Sequence, residues 1–409
     1  MTYRARIADR ELVHRLDASG AVVIEGVKAC GKTATARQVA ASEVLLDSDE
    51  NARRALAVDP ALVLEGAVPR LLDEWQIEPA IWNHVRRAVD DRGTAGQFIL
   101  TGSAVPADDI VRHTGAGRLT RLRLRPMSLF ETGHSSGVVS LQQLLGGHSA
   151  ARLESELPLS QLAEHIAVGG WPAHLQRSVN QSLQANRDYL NEIRRVDVAR
   201  VDGVRRDPLK VGRFLHSFAR HVATYAAAST MAAALNNHTA DAYLSALERL
   251  MIIEDQPAWA PHLRSRSRLR GAPKRHYVDP SLAVAALRAD PESLLRDLNL
   301  FGFLFESLVV RDLRIYAQHS DAEVLQYRDN TGLEVDAIVQ RPDGQWAAFE
   351  VKLGTGMIDH AAANLLRFAA RVDTSRSGSP AALAVIVARG YGYVRPDGIH
   401  VIPIGALGP

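Results

Sequence analysis

The sequence predicts an α/β chain in three parts. A mostly parallel sheet with helices on both faces comes first, a helical region second, and a smaller α/β domain last. Three observations carry this. Short aliphatic runs alternate with helix-like segments up to about residue 135. Aliphatics then recur at spacings of three and four between about 150 and 290. Strand-like runs return after about 295. A length of 409 residues also exceeds what one compact core organises. The expected boundaries are 1–140, 141–292 and 293–409, the first break falling near the Gly/Ser-rich "ETGHSSGVVS".

Composition excludes several classes. The chain is 46% hydrophobic and 23% charged, which is globular rather than disordered. A formal net charge of +2 means that any basic surface is local. The single cysteine, Cys30, permits no intrachain disulfide and suits a reducing cytoplasm. No apolar run reaches membrane-span length, so no membrane partner is expected.

In the first part, "AVVIEG" (21–26), "EVLLD" (43–47), "RLLDE" (70–74) and "QFILTGS" (97–103) read as strands. "PAIWNHVRRAVDDRG" (79–93) reads as a helix opened by Pro and closed by Gly. The stretch "GVKACGKT", Gly26–Thr33, fits the G-x-x-x-x-G-K-[ST] phosphate loop, between the strand "AVVIE" and a helix expected over "TATARQVAA". Gly26, Val27, Lys28, Ala29, Cys30, Gly31, Lys32, Thr33 and Ala34 would bind the nucleotide. Backbone N–H groups turned inward take the phosphates, Lys32 reaches the terminal ones, and the Thr33 hydroxyl ligates Mg²⁺. Asp73 at the tip of "RLLDE" would complete the Mg²⁺ shell, and Glu74 would polarise the attacking water. Thr101 and Ser103 end the next strand, where a hydroxyl could sense the γ-phosphate. Arg118 in "GAGRLTRLRLRP" is a candidate arginine finger, against the plainer reading of a solvated strand face. No N-K-x-D motif for guanine is present, which points to ATP. Cys30 reads as a small filler, with redox blocking of the loop the lesser alternative.

In the middle part, "STMAAAL" and "TADAYLSALERL" as helices and "MIIEDQPAW" and "KRHYVDP" as a flap are the parts of a winged helix. "RSRSRLRGAPKR" (264–275) carries six Arg/Lys and no acid. Such a loop can contact the phosphates of DNA or another nucleic acid, or be plain solvated surface. In the last part, Glu306 interrupts the apolar helix "FGFLFESLVV", Asp336 sits in the strand "GLEVDAIV", and Glu350 and Lys352 share one face of "AFEVKLG". Adjacent antiparallel strands would bring Asp336 and Glu350 together. Carboxylates so placed can hold Mg²⁺, with Lys352 activating water; the alternative is a structural ion pair.

The ordered set "GVKACGKT", "RLLDEWQ", "ILTGS", "GRLTRLRLRPMSLFE", "VGGWPAHL", "TADAYLSALERLMII", "KRHYVDPSL", "FGFLFESLVVRDL", "YRDNTGLEVDAIV" and "FEVKLG" resembles a large prokaryotic family of AAA-type P-loop ATPases with a C-terminal domain of unknown function. The resemblance implies a P-loop NTPase domain, a winged-helix region and a restriction-endonuclease-like core of the PD-(D/E)xK type. It gives Lys32 and Thr33 the Walker A roles, Asp73 and Glu74 the Walker B roles, and Arg118 the position after the sensor strand. It assigns Glu306, Asp336, Glu350 and Lys352 to the nuclease-like site. The departure is Val27 and Ala29 inside the loop, where the family often has Pro and a polar residue; backbone amides do that work. The expected protein hydrolyses ATP with Mg²⁺, forms a homo-oligomer if Arg118 acts in trans, and either cleaves or binds DNA. The alternative is a nucleotide-gated regulator or protein adaptor with an inert core.

Overall fold

The computed structural model describes residues 3–103, 114–148, 152–155, 157–201, 203–231, 240–261 and 272–409. The chain divides into two compact units. One holds 1–126, 195–206 and 245–252; the other holds 127–194, 207–244 and 253–409.

The first unit is built on five parallel strands: β1 (Ala21–Glu25), β2 (Ser42–Leu45), β3 (Arg70–Asp73), β4 (Phe98–Gly102) and β5 (Leu119–Arg123), in the order β2-β3-β4-β1-β5. β4 is buried along its whole length and β1 up to Ile24, as continuous aliphatic runs in a two-sided sheet require. Val23, Leu72 and Leu100 pack with Trp75 and Trp82, whose rings lie 5.1 Å apart. The helix Ile81–Arg92 ends on Gly93 in the left-handed region, with Gly93 N–H bonded to Val89 O. The helix expected over "TATARQVAA" is shorter, Lys32–Ala36. After it the N–H groups of Gln38 and Val39 bond three residues back, to Thr35 and Ala36, and the chain tightens into turns.

The second unit carries β6 (Val139–Ser140), β7 (Leu153–Ser155), β8 (Ile253–Gln256), β9 (Lys274–Tyr277), β10 (Glu323–Arg328), β11 (Glu334–Gln340), β12 (Trp346–Lys352), β13 (Ala382–Val387), β14 (Gly390–Val394), β15 (His400–Pro403) and β16 (Leu407–Gly408). Seven of them form one mixed sheet in the order β10-β11-β12-β13-β15-β14-β7. β8 and β9 form a separate antiparallel pair, and β16 pairs with β6. The helices Leu298–Ala317 and Ile358–Ala369 pack on the sheet. Trp259, Trp346 and Phe368 join Val335, Ile338 and Val385 in one apolar cluster. The basic stretch 264–271 and the residues 232–239 preceding the helix Ala240–Arg249 lie outside the described residues, so the recognition-helix and wing-loop readings fall partly there.

Several quoted motifs meet in a buried junction of this unit. Arg311 holds Asp279 and Asp312, each at 2.7 Å. Asp312 accepts from Leu129 N–H at 3.0 Å, Asp279 from Gly170 N–H at 3.0 Å, and Met127 N–H donates to Gly170 O at 2.6 Å. Their role is architectural. A Cβ on Gly170 would stand 1.9 Å from Met127 O. Gly170→Ala is therefore expected to cost about 1–3 kcal/mol of stability, read from urea denaturation.

Candidate functional site

The phosphate loop leaves β1, an interior strand, and turns sharply. Gly26 is required there, because a Cβ would lie 2.2 Å from Leu124 O. Ala29 (φ 63°) and Gly31 (φ 106°) both take left-handed conformations, and the loop curls around its own amides. The N–H groups of Ala29, Gly31, Lys32 and Thr33 donate to no acceptor among the described residues. Unpaired donors on a concave backbone form an anion-binding nest. Lys32 is buried, and its ammonium caps the loop's carbonyls, Gly26 O at 3.0 Å and Val27 O at 3.1 Å. Cys30 is buried, its thiol on Leu124 O. Sequence reading gave no hint of Arg6, which donates to Cys30 O at 3.0 Å and Arg125 O at 2.7 Å and braces the loop from behind. Nor did it find Asp197, 2.5 Å from Lys28; the Lys28 ammonium is tied to that buried carboxylate.

All five strands run the same way, so the loop after β1, Asp73 at the end of β3 and Thr101 on β4 come together at the C-terminal ends of the strands. Thr33 donates to Asp73 at 2.8 Å. Thr101, fully buried, donates to the same Asp73 oxygen and accepts from Glu74 N–H at 3.4 Å, so it positions the acids. Glu74 sits at φ 53°, strained for a residue with a side chain, and its carboxylate is held by Gln76 and, at 3.4 Å, by the Ser103 hydroxyl. Hydroxyl and carboxylate oxygens beside a nest of free amides suit a hard divalent ion carried on a phosphate chain.

Arg118 lies elsewhere. Its carbonyl accepts from Ala21 N–H at 3.1 Å, which puts it at the beginning of β1 while the phosphate loop follows the end. The strand Ala21–Glu25 separates the two by about 13 Å. The guanidinium is bonded to Asp90 and Ala116 O. Arg118 therefore lies at the opposite end of the parallel strands from its own chain's phosphate loop.

The second acidic cluster is brought together, in an unexpected form. The β11–β12 register, Ala337 opposite Phe349, continues to put Asp336 level with Glu350. Lys352 bridges them at 3.0 and 2.6 Å. Lys274 of β9 inserts its ammonium between Glu306 (2.7 Å) and Asp336 (3.1 Å). Asp336 also accepts from Val351 N–H at 2.9 Å, and Glu350 from Asn364 at 2.7 Å. Glu306, Asp336 and Glu350 are therefore not the open metal site of the sequence reading. Two lysines supply the cations, and among the described residues no group of three or more His, Cys, Asp or Glu is arranged to hold a metal. Burial, with the Asp336 charge, pushes Glu350 up to about 8; burial pushes Glu306 up to about 7 against the pull of Lys274. Burial also works on Asp336, but Lys274, Lys352 and the Val351 amide outweigh it and hold that carboxyl well below its usual range. Lys274 read as the end of a basic loop. The strand alternation of "KRHY", which turns Lys274 and His276 inward, was the signal available.

Comparison with known families bears on the N-terminal domain. Residues 18–133 match a family described as an AAA domain. The N-terminal domain is AAA-type and P-loop NTPase-like. Residues 159–293 and 301–407 match two families described as domains of unknown function, DUF8612 and DUF4143. No curated protein matches the chain. Among the described residues no helix is long and apolar enough to cross a membrane.

Proposed function

We propose that the chain binds Mg²⁺·ATP at Gly26–Thr33 and hydrolyses it. The observation that carries this is the Thr33–Asp73 contact at 2.8 Å beside the free loop amides. Thr33 and Asp73 would hold Mg²⁺, which neutralises phosphate charge when bound. Lys32 exchanges its two loop carbonyls for phosphate oxygens. Glu74, fixed by Gln76 and Ser103, orients water and takes its proton. Arg118 serves only in trans, from a second copy. Arg118→Ala subunits mixed with Lys32→Ala subunits are expected to regain ATP turnover; a mixture as inactive as its components removes Arg118 from the reaction.

For the C-terminal part, the inert-core reading is favoured by the Lys274 ammonium between Glu306 and Asp336. The core acts as scaffold for a nucleotide-gated regulator or adaptor, with nucleic acid or protein as partner through the region around β8 and β9. Wild-type protein is expected to leave single- and double-stranded DNA and RNA intact in Mg²⁺ or Mn²⁺, with or without ATP. Cleavage that disappears in Asp336→Ala would restore the nuclease reading. If DNA is the partner, binding falls steeply with added salt; salt-insensitive affinity would argue for protein.

A further inference from the structure

A pocket of about 460 Å³ opens between the helix Val179–Glu192, the helix Pro208–Arg220 and the end of the helix Pro280–Leu287. Gln184, Arg187 and Asn191 of the first helix line it, with Arg194 from the π-helical turn Ile193–Asp197 that continues that helix. Beside apolar Leu190, Leu215 and Ala285 they make the lining polar and basic, and Arg288 adds a third guanidinium. Among the described residues no acid lines the pocket. Asp188, on the same helix, is bonded to Gln184 at 2.9 Å and lies outside the lining.

The guanidinium groups are short of partners. The Nε of Arg194 is buried and has no hydrogen-bond partner among the described residues. Neither Arg194 nor Arg288 forms an ion pair among the described residues, and the Arg187 side chain bonds only Gln184, at 2.9 Å. Gly212 opposite keeps the space open, since a Cβ there would come within 3.0 Å of Arg194 Nη1. Three cations facing one concavity repel one another, and a buried donor without an acceptor is costly. An anion in the pocket answers both.

We propose that this pocket binds a small molecule carrying two or more linked phosphates. Guanidinium forks match phosphate oxygens in geometry as well as charge. The volume suits a molecule of nucleotide size rather than a passing chain. Nucleoside diphosphates and inorganic polyphosphates share this chemistry, and the test separates them.

The test uses full-length Lys32→Ala protein, in which the phosphate loop is disabled, so that success or failure here is independent of the ATP reading. ADP, pyrophosphate and tripolyphosphate are titrated calorimetrically. Saturable one-to-one binding of at least one probe is expected, weakened at least about tenfold by an added Arg194→Gln or Arg288→Gln. Arg288 is exposed, so its variant should fold even if that of Arg194 does not. Gly212→Val, which fills the space without changing charge, should also weaken binding. ADP outbinding pyrophosphate identifies a nucleotide ligand; the reverse identifies inorganic polyphosphate. Absence of saturable binding, or binding unchanged in both arginine variants, overturns the proposal. So does binding of duplex DNA alone that the same variants abolish.

Discussion

Replacing Glu74 with Gln is expected to leave ATP binding intact and to slow hydrolysis about 10²- to 10⁴-fold, the range lost when a positioned general base is removed. The split between binding and turnover is the informative part. Lys32 and the loop amides take the phosphates, so binding survives. The Gln amide keeps the shape and contacts of the side chain but cannot accept the proton from water. The backbone at Glu74 is left-handed, and its carboxylate is held by Gln76 and Ser103. Such strain persists where surroundings over-determine a residue. Equal loss of binding and turnover would instead mean that Glu74 only shapes the loop.

Lys274→Met should cost about 3–5 kcal/mol of stability at pH 8, because it leaves buried carboxylates without their cation. The loss should be smaller at pH 5. Glu306 stands near 7 in the folded protein, above its ordinary 4.5, and Lys274 is what holds it down to that. A carboxyl raised by folding stabilises fully below its unfolded pKa and loses that contribution as pH rises through the folded value. At pH 5 Glu306 is mostly protonated with or without Lys274, so only the Lys274–Asp336 pairing is lost, and Lys352 and the Val351 amide still hold that carboxylate. At pH 8 the wild-type carboxylate is ionised against an ammonium, whereas the variant must keep a proton or bury a bare charge. Urea denaturation at both pH values reads the difference. A loss of the same size at both would mean that Lys274 acts by packing alone.

The same cluster shows why metal is a poor guest. Two ammonium groups against Asp336 alone leave one positive charge when both glutamates are protonated, and one negative charge when both are ionised. The cluster therefore balances its charge near neutral pH with protons, the buried glutamates titrating near 7 and 8. The chemistry of the cluster is that of a buried ion-pair network, and fold alone would be a weak warrant for activity.

What the sequence made legible follows from periodicity. Aliphatic runs located β1, β3, β4, β11 and β12, and the fourteen-residue spacing from Asp336 to Glu350 anticipated antiparallel neighbours. β14 escaped because Gly390 and Gly392 dilute its pattern, and β7 because three residues carry no period. The missing site residues share another cause. Lys274 with Glu306, Lys28 with Asp197, and Arg6 with Cys30 join segments remote in sequence, and pairing of that kind leaves no local trace. For Arg118 the sequence left open whether a finger would act in cis or in trans. Its position before β5, in a parallel sheet, already assigned it to the opposite end of the strands.

Nucleotide turnover is expected to rest on one loop, Gly26–Thr33. Steady-state phosphate release from Mg²⁺·ATP, measured side by side for wild type and Lys32→Ala at matched folding stability, tests it most directly. Wild type should turn ATP over and Lys32→Ala should fall to background. Turnover in Lys32→Ala equal to that of wild type would contradict the assignment of Gly26–Thr33 as the ATPase site.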